Sequence, residues 1–198
     1  MDINHINKIR ASADVIFTAK EINEGLNKVA GQINADYQNK SPVVLCVVLG
    51  GITVFGQLLT RLDINLEIDY IHATRYDGDV SGAEIKWKSL PRISLENRDV
   101  LIVDDILDGG ITLKALYDYC YTKQALSVKS MILVDKTKSR HKNGQKAAEY
   151  TALSTESSSY LFGFGMDYYS FLRNANGIFA ANPDEIKRYK ESKGSLLV

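Results

Sequence analysis

Hydrophobic positions along the chain follow two different periods. In Ala19–Tyr37, the residues Ile22, Leu26, Val29, Ile33 and Tyr37 recur at steps of four, three, four and four, with Glu, Asn, Lys and Gln between them. That spacing predicts one amphipathic helix whose task is packing. Elsewhere the apolar residues are consecutive. Pro42–Leu49 (PVVLCVVL), Val100–Val103 (VLIV) and Ser127–Val134 (SVKSMILV) are short runs rich in β-branched residues. Strands buried on both faces have this composition.

Glycines and helical patterns follow two of these runs. Gly50-Gly51 leads to a predicted helix from about Val54 to Leu62, and Gly109-Gly110 to one with Leu113, Leu116 and Cys120 on its buried face, ending near Thr122-Lys123. Leu66–Thr74 alternates as a strand, and Ile85–Trp87 reads as its return. The polar stretch Arg75–Glu84 between them predicts a mobile hairpin loop. Repeated strand–glycine–helix units predict an α/β fold with a doubly wound parallel sheet. Ligands of such sheets bind at the carboxyl ends of the strands, where the two glycine turns would meet.

Composition narrows the class. A chain of 198 residues suffices for one domain with a substantial core. Lys and Arg balance Asp and Glu at 24 each, so no basic excess predicts a nucleic-acid partner. No apolar run reaches the roughly eighteen residues of a membrane span, and the N-terminus lacks the order of a secretory signal. Cys46 and Cys120 lie in apolar segments and read as buried thiols of a reducing compartment, which predicts a cytoplasmic protein. Residues before about position 40, and the charged tail after Pro183, carry no recognisable site.

The chemistry concentrates in Val100–Leu113, VLIVDDILDGGITL. A strand, a glycine turn and a helix start form an anion site, because the first N–H groups of a helix lack internal partners. Asp104, Asp105 and Asp108 add what a bare phosphate would not want: groups suited to sugar hydroxyls, a metal ion or a proton to be removed. Together they describe a site for a phosphorylated sugar. The plain alternative is an Asp-rich turn that caps a helix; a receiver-type phosphate acceptor also begins with an acidic pair after a strand, but lacks the glycines and Thr that follow here.

This stretch resembles the phosphoribosyl-pyrophosphate (PRPP) signature of the type I phosphoribosyltransferases. Where the signature has a small hydroxyl residue, usually Thr or Ser, this chain has Gly109. The resemblance implies that Gly109, Gly110, Ile111 and Thr112 bind the 5′-phosphate, and that Asp104 and Asp105 hold the ribose, directly or through metal. It makes Asp108 the general base. It assigns the Leu49, Gly50 and Gly51 loop to pyrophosphate, with a cis peptide joining Leu49 to Gly50. Arg75-Tyr76 would start the loop that closes over the site, and Lys136, at the end of its strand, would bind the O6 of a 6-oxopurine.

Ser159–Arg173, SYLFGFGMDYYSFLR, resembles the hypoxanthine-guanine branch of that family. Tyr160 would stack on the purine and the Leu161 backbone would read its edge. Asp167 would hold Mg2+, with Asp104 and Asp105 as further metal candidates, and Arg173 would meet pyrophosphate. Read without the resemblance, Tyr160, Phe162 and Phe164 form an alternating strand of core aromatics. Lys138–Lys146 reads as a solvated basic loop. The resemblance covers roughly residues 40–182 and implies a single phosphoribosyltransferase domain over 1–198, with a small hood built from both termini. It implies purine salvage with Mg2+, converting PRPP and hypoxanthine or guanine to IMP or GMP and pyrophosphate, by a homodimer or homotetramer without nucleic-acid or membrane partners. A PRPP- or nucleotide-binding regulator on the same fold, and a xanthine-preferring relative, are the alternatives.

Overall fold

The computed structural model describes residues 2–75 and 85–194. Five helices and nine strands follow one another there: α1 (Ile3–Ser12), β1 (Asp14–Thr18), α2 (Ala19–Tyr37), β2 (Val43–Val47), α3 (Ile52–Leu59), β3 (Glu67–Arg75), β4 (Ile85–Ser89), β5 (Asp99–Leu107), α4 (Ile111–Thr122), β6 (Ser127–Lys136), β7 (Tyr150–Thr155), β8 (Leu161–Phe162), β9 (Gly177–Ala180) and α5 (Pro183–Gly194). α2 starts where its periodicity begins because Thr18 and Glu21 form a reciprocal capping box across its first turn.

The main sheet has the order β4-β3-β2-β5-β6-β7. All its pairs are parallel except β3 with β4. From β2 the chain moves outward to β3, then returns to the other side of β2 as β5. This reversal of strand order opens a crevice beyond the carboxyl ends of β2 and β5.

Both faces of the sheet are covered, which is why its central strands are apolar throughout. Ile22, Leu26, Val29 and Ile33 of α2 bury Val44, Leu101, Val103 and Leu133 on one face. Leu113, Leu116 and Cys120 of α4 bury Val43, Leu45, Val100 and Ile102 on the other. Each such aliphatic side chain contributes about 1.5–3 kcal/mol when fully buried. Asp69 of β3 ties down the β4–β5 connection by accepting from the N–H groups of Arg92 at 2.6 Å and Ile93 at 3.0 Å.

A second, antiparallel sheet has the order β1-β9-β8 and joins the two ends of the chain. Neither α1, β1 nor β9 was legible in the hydrophobic pattern, because each is short and pairs only with distant segments. The alternating strand expected through Phe164 ends at Phe162. Beyond it the chain coils through Phe164, Tyr169, Ser170 and Leu172, all with positive φ. Bonds from Gly163 N–H to Met166 O and from Tyr168 N–H to Phe171 O close the turns. No helix among the described residues is long and apolar enough to cross a membrane.

Candidate active site

A cavity of about 320 Å³ occupies the crevice. Its walls are Gly50 from the loop after β2, Asp104 and Asp105 from β5, the stretch Asp108–Leu113, and Asp167 and Arg173 from the opposite side. β5 extends beyond the apolar run, so Asp104 and Asp105 are strand residues rather than loop residues. At the carboxyl end of the strand the two side chains hydrogen-bond to each other, and both line the cavity. Asp104 is buried and accepts from the Asp105 N–H at 2.9 Å. Burial pushes its carboxyl well above the usual range, and the Asp105 charge adds to this. Burial raises Asp105 as well, opposed by its hydrogen bond with Asp104 and by the Arg173 charge.

The turn before α4 depends on Gly110, whose φ of 80° is left-handed. No side chain caps α4, so the N–H groups of its first turn face the cavity without a capping oxygen. On the other wall, a Cβ at Gly50 would lie 2.0 Å from Asp105 Oδ2. Only glycine lets the loop after β2 approach this carboxylate. The cis peptide in that loop joins Val48 to Leu49, one bond earlier than expected. There β2 ends at Val47, and the turn is closed by the bond from Gly51 N–H to Val47 O.

Lys136 ends β6 with its side chain buried, its Nζ 3.2 Å from Ser159 O and 3.6 Å from Asp108 Oδ1. Asp167 pairs with Arg173 at 2.8 Å and accepts from Ser170 N–H at 2.7 Å. Arg173 also donates to Gly165 O at 2.7 Å. Tyr160 remains half exposed, with Tyr168 packed edge-on at 5.4 Å. Leu161 lies opposite Ala180, while the bond from Ala181 N–H to Tyr160 O belongs to the neighbouring pair. Bonded pairs alternate in an antiparallel ladder, so the Leu161 backbone turns to the free edge of β8.

The structure therefore gathers Gly50, Asp104, Asp105, Asp108, Gly109, Gly110, Ile111, Thr112, Asp167 and Arg173 around one cavity. Lys136 joins it through Asp108. Leu49, Gly51, Tyr160 and Leu161 do not line it; the Leu49 side chain is exposed and Gly51 is buried under the turn. Arg75 ends β3, and Tyr76 lies outside the described residues.

The segment read as a solvated basic loop is instead part of the site's scaffold. Arg140 donates to the carbonyls of Leu107, Asp108, Lys136 and Lys146, and its guanidinium pairs with Asp135. His141 and Gln145 N–H groups donate to Gly109 O and Gly110 O at 3.0 and 2.9 Å. Nothing in the run of lysines, serine and histidine around Arg140 distinguishes a buried guanidinium from an exposed one. Its closeness in sequence to Lys136 was the available signal.

Among the described residues no group of three or more His, Cys, Asp or Glu could hold a metal ion. The donors near the cavity are the buried pair Asp104 and Asp105 and the single carboxylate Asp167. Mg2+ suits so sparse a set, because it is commonly held by one or two carboxylates with waters and substrate phosphate oxygens.

The family model described as phosphoribosyl transferase domain matches residues 12–170. The chain is 33% identical over 182 residues to the bifunctional protein TilS/HprT of Listeria innocua, covering 91% of this chain and 27% of that protein's length. It is 30% identical over 164 residues to the hypoxanthine-guanine-xanthine phosphoribosyltransferase of Tritrichomonas foetus, covering 81% and 86%. The crystal structure of a hypoxanthine phosphoribosyltransferase from Staphylococcus aureus superposes with a TM-score of 0.82 at 27% identity, covering 92% of this chain and 96% of that one.

Proposed function

From the premise that the chain belongs to the phosphoribosyltransferase family, we propose that it transfers the phosphoribosyl group of PRPP to hypoxanthine or guanine, forming IMP or GMP and pyrophosphate in purine salvage. The observation that carries this reading is Lys136 Nζ held 3.6 Å from Asp108 Oδ1, at the rim of a cavity that ends on the open N-terminus of α4. A general base and a reader of O6 stand side by side, one step from a phosphate site.

Each residue then has a physical task. N–H groups of Gly110, Ile111 and Thr112 and the Thr112 hydroxyl take the 5′-phosphate. Asp104 and Asp105 hold the ribose hydroxyls, and their charge stabilises the cation-like ribose at the transition state. The backbone of Leu49, Gly50 and Gly51, with Arg173, takes pyrophosphate. Tyr160 offers its exposed ring to the purine, and Leu161 its free backbone groups. Asp108 takes the N7 proton as N9 attacks C1′. Lys136 donates to O6, so an amino group at that position meets a donor with a donor and adenine is excluded. Arg75 and Tyr76 begin the loop that keeps water from the reaction.

Asp167, with Asp104 and Asp105, would hold Mg2+, which when bound neutralises the leaving pyrophosphate. We read residues 1–198 as one domain in which α1, β1, β8, β9 and α5 form the hood. A homodimer or homotetramer in the cytoplasm completes the reading; exposed Ile68 and Tyr70 on β3 are apolar surface that a second copy would cover.

A continuous ultraviolet assay with PRPP and Mg2+ tests the reading, offering hypoxanthine, guanine, xanthine and adenine in parallel. Turnover of hypoxanthine or guanine that collapses in Asp108→Asn is the expected result. Preferred turnover of xanthine would move the assignment to a xanthine enzyme. No turnover of any base, with PRPP still bound, would replace the enzyme by a regulator.

A further inference from the structure

α1 has no place in the site described above, yet its buried face runs directly to it. That face consists of His5, Ile6 and Ile9. The two isoleucines pack with Phe162, Tyr168 and Ala181 in a cluster beneath the purine-binding segment. His5 is the polar member of the face and is only 5% exposed. Its Nε2 lies 2.9 Å from the Tyr168 hydroxyl, and its ring stacks on Tyr189 of α5 at 3.9 Å and 16°. Tyr168 is fully buried and sits between this histidine and the exposed aromatics. It packs edge-on against Tyr160 at 5.4 Å and 79°, and against Tyr169 at 5.0 Å and 82°.

We propose that His5 is a positioning residue for the purine, an inference that rests on the function proposed above: through the Tyr168 hydroxyl it sets the plane on which Tyr160 receives the base. Tyr160 is 46% exposed, and Tyr168 supports it from the protein side. Edge-to-face pairs depend on the angle between the rings, so a tilt of Tyr168 is passed to Tyr160. The hydrogen bond anchors Tyr168 at its far end, and the stack on Tyr189 holds the His5 ring against α5. Both ends of the chain thereby bear on the base-binding surface without touching substrate. PRPP meets this segment only through Arg173 and Asp167, and their contacts with each other, Gly165 O and Ser170 N–H involve neither His5 nor the Tyr168 hydroxyl.

Steady-state kinetics of the full-length protein test this with His5→Ala, His5→Gln and Tyr168→Phe. Glutamine reaches the position of Nε2 and keeps a hydrogen-bonding group there. In His5→Ala and Tyr168→Phe the purine KM should rise about fivefold, the range of one aromatic pair, while kcat and the PRPP KM stay at wild-type values. His5→Gln should restore most of the loss, and the double variant His5→Ala/Tyr168→Phe should be no worse than either single one. Wild-type turnover with an unchanged purine KM in all variants overturns the proposal. So does a parallel rise of both KM values with a lowered Tm, which is what packing alone would give. If His5→Ala does not fold, His5→Gln and Tyr168→Phe decide the question by the same split. Absence of turnover in the wild type would instead strike the proposed function, and this inference with it.

Discussion

Lys136 and Asp108 form an ion pair whose halves live in different surroundings: the lysine side chain is 8% exposed, the aspartate 50%, and 3.6 Å separates Nζ from Oδ1. The buried ammonium is compensated by the Asp108 carboxylate and the Ser159 carbonyl. The carboxylate is open to a ligand. One contact thus sets a buried amine donor beside an open carboxylate acceptor.

This pair predicts two separable defects. Asp108→Asn keeps the shape but removes the base, and kcat should fall by about 10²–10⁴. Lys136→Met removes the O6 donor, and the purine KM should rise far more than the PRPP KM. Kinetics with each substrate varied in turn measures both.

Gly50→Ala would drive a methyl group into the Asp105 carboxylate, 2.0 Å from its Oδ2. The carboxylate must turn out of its place or the loop must shift, at a cost of about 1–3 kcal/mol. Turnover should drop sharply, since Asp105 and the loop after β2 share a wall of the cavity. Thermal melting and the ultraviolet assay together check this.

Arg140→Gln releases the carbonyls of Leu107 and Asp108 and leaves Asp135 without its partner. Stability should fall by about 3 kcal/mol, as for other buried pairs broken on one side. Arg140→Lys keeps the charge but not the fork, and should recover only part of this loss. Urea unfolding measures the difference, and the PRPP KM should rise in both variants because the turn before α4 is no longer held.

Asp69 governs an acid response away from the site. Burial pushes its carboxyl up, but the N–H groups of Ile93, Tyr70 and Arg92 outweigh burial and leave it below its ordinary value. A depressed carboxyl contributes stability above the unfolded value of about 3.9, and loses it as pH falls through the lower folded value. Asp69→Asn should therefore cost about 1–2 kcal/mol at pH 7 and nothing once both forms are protonated. Denaturation curves of the two proteins should draw together as the pH falls below the unfolded value.

Gly109→Thr supplies the hydroxyl that the resembling signature carries. Glycines with left-handed backbone among the described residues are Gly110, Gly163, Gly165 and Gly177, so a Cβ at position 109 meets no backbone penalty of that kind. One added hydrogen bond to the 5′-phosphate should lower the PRPP KM by about three- to tenfold. An unchanged value would mean that the N–H groups of α4 already satisfy the phosphate.

The sequence by itself determined whatever has a period or a fixed order. The 3.6-residue stripe of α2 and the apolar runs of β2, β5 and β6 named their own faces, because burial on one face or both acts residue by residue. The order of acidic residues, glycines and Thr112 after β5 located the turn that lines the cavity, since a strand, a glycine and a helix start must follow one another along the chain. Tertiary structure alone decided how deep Asp104 lies, that Arg140 is a bracket rather than a solvated charge, and that the chain coils after Phe162. It also decided that α1 and α5 meet over Tyr168. These depend on segments far apart in sequence, and an irregular backbone or a single buried polar group leaves no periodic trace. Their energies come from partners that the local sequence does not contain.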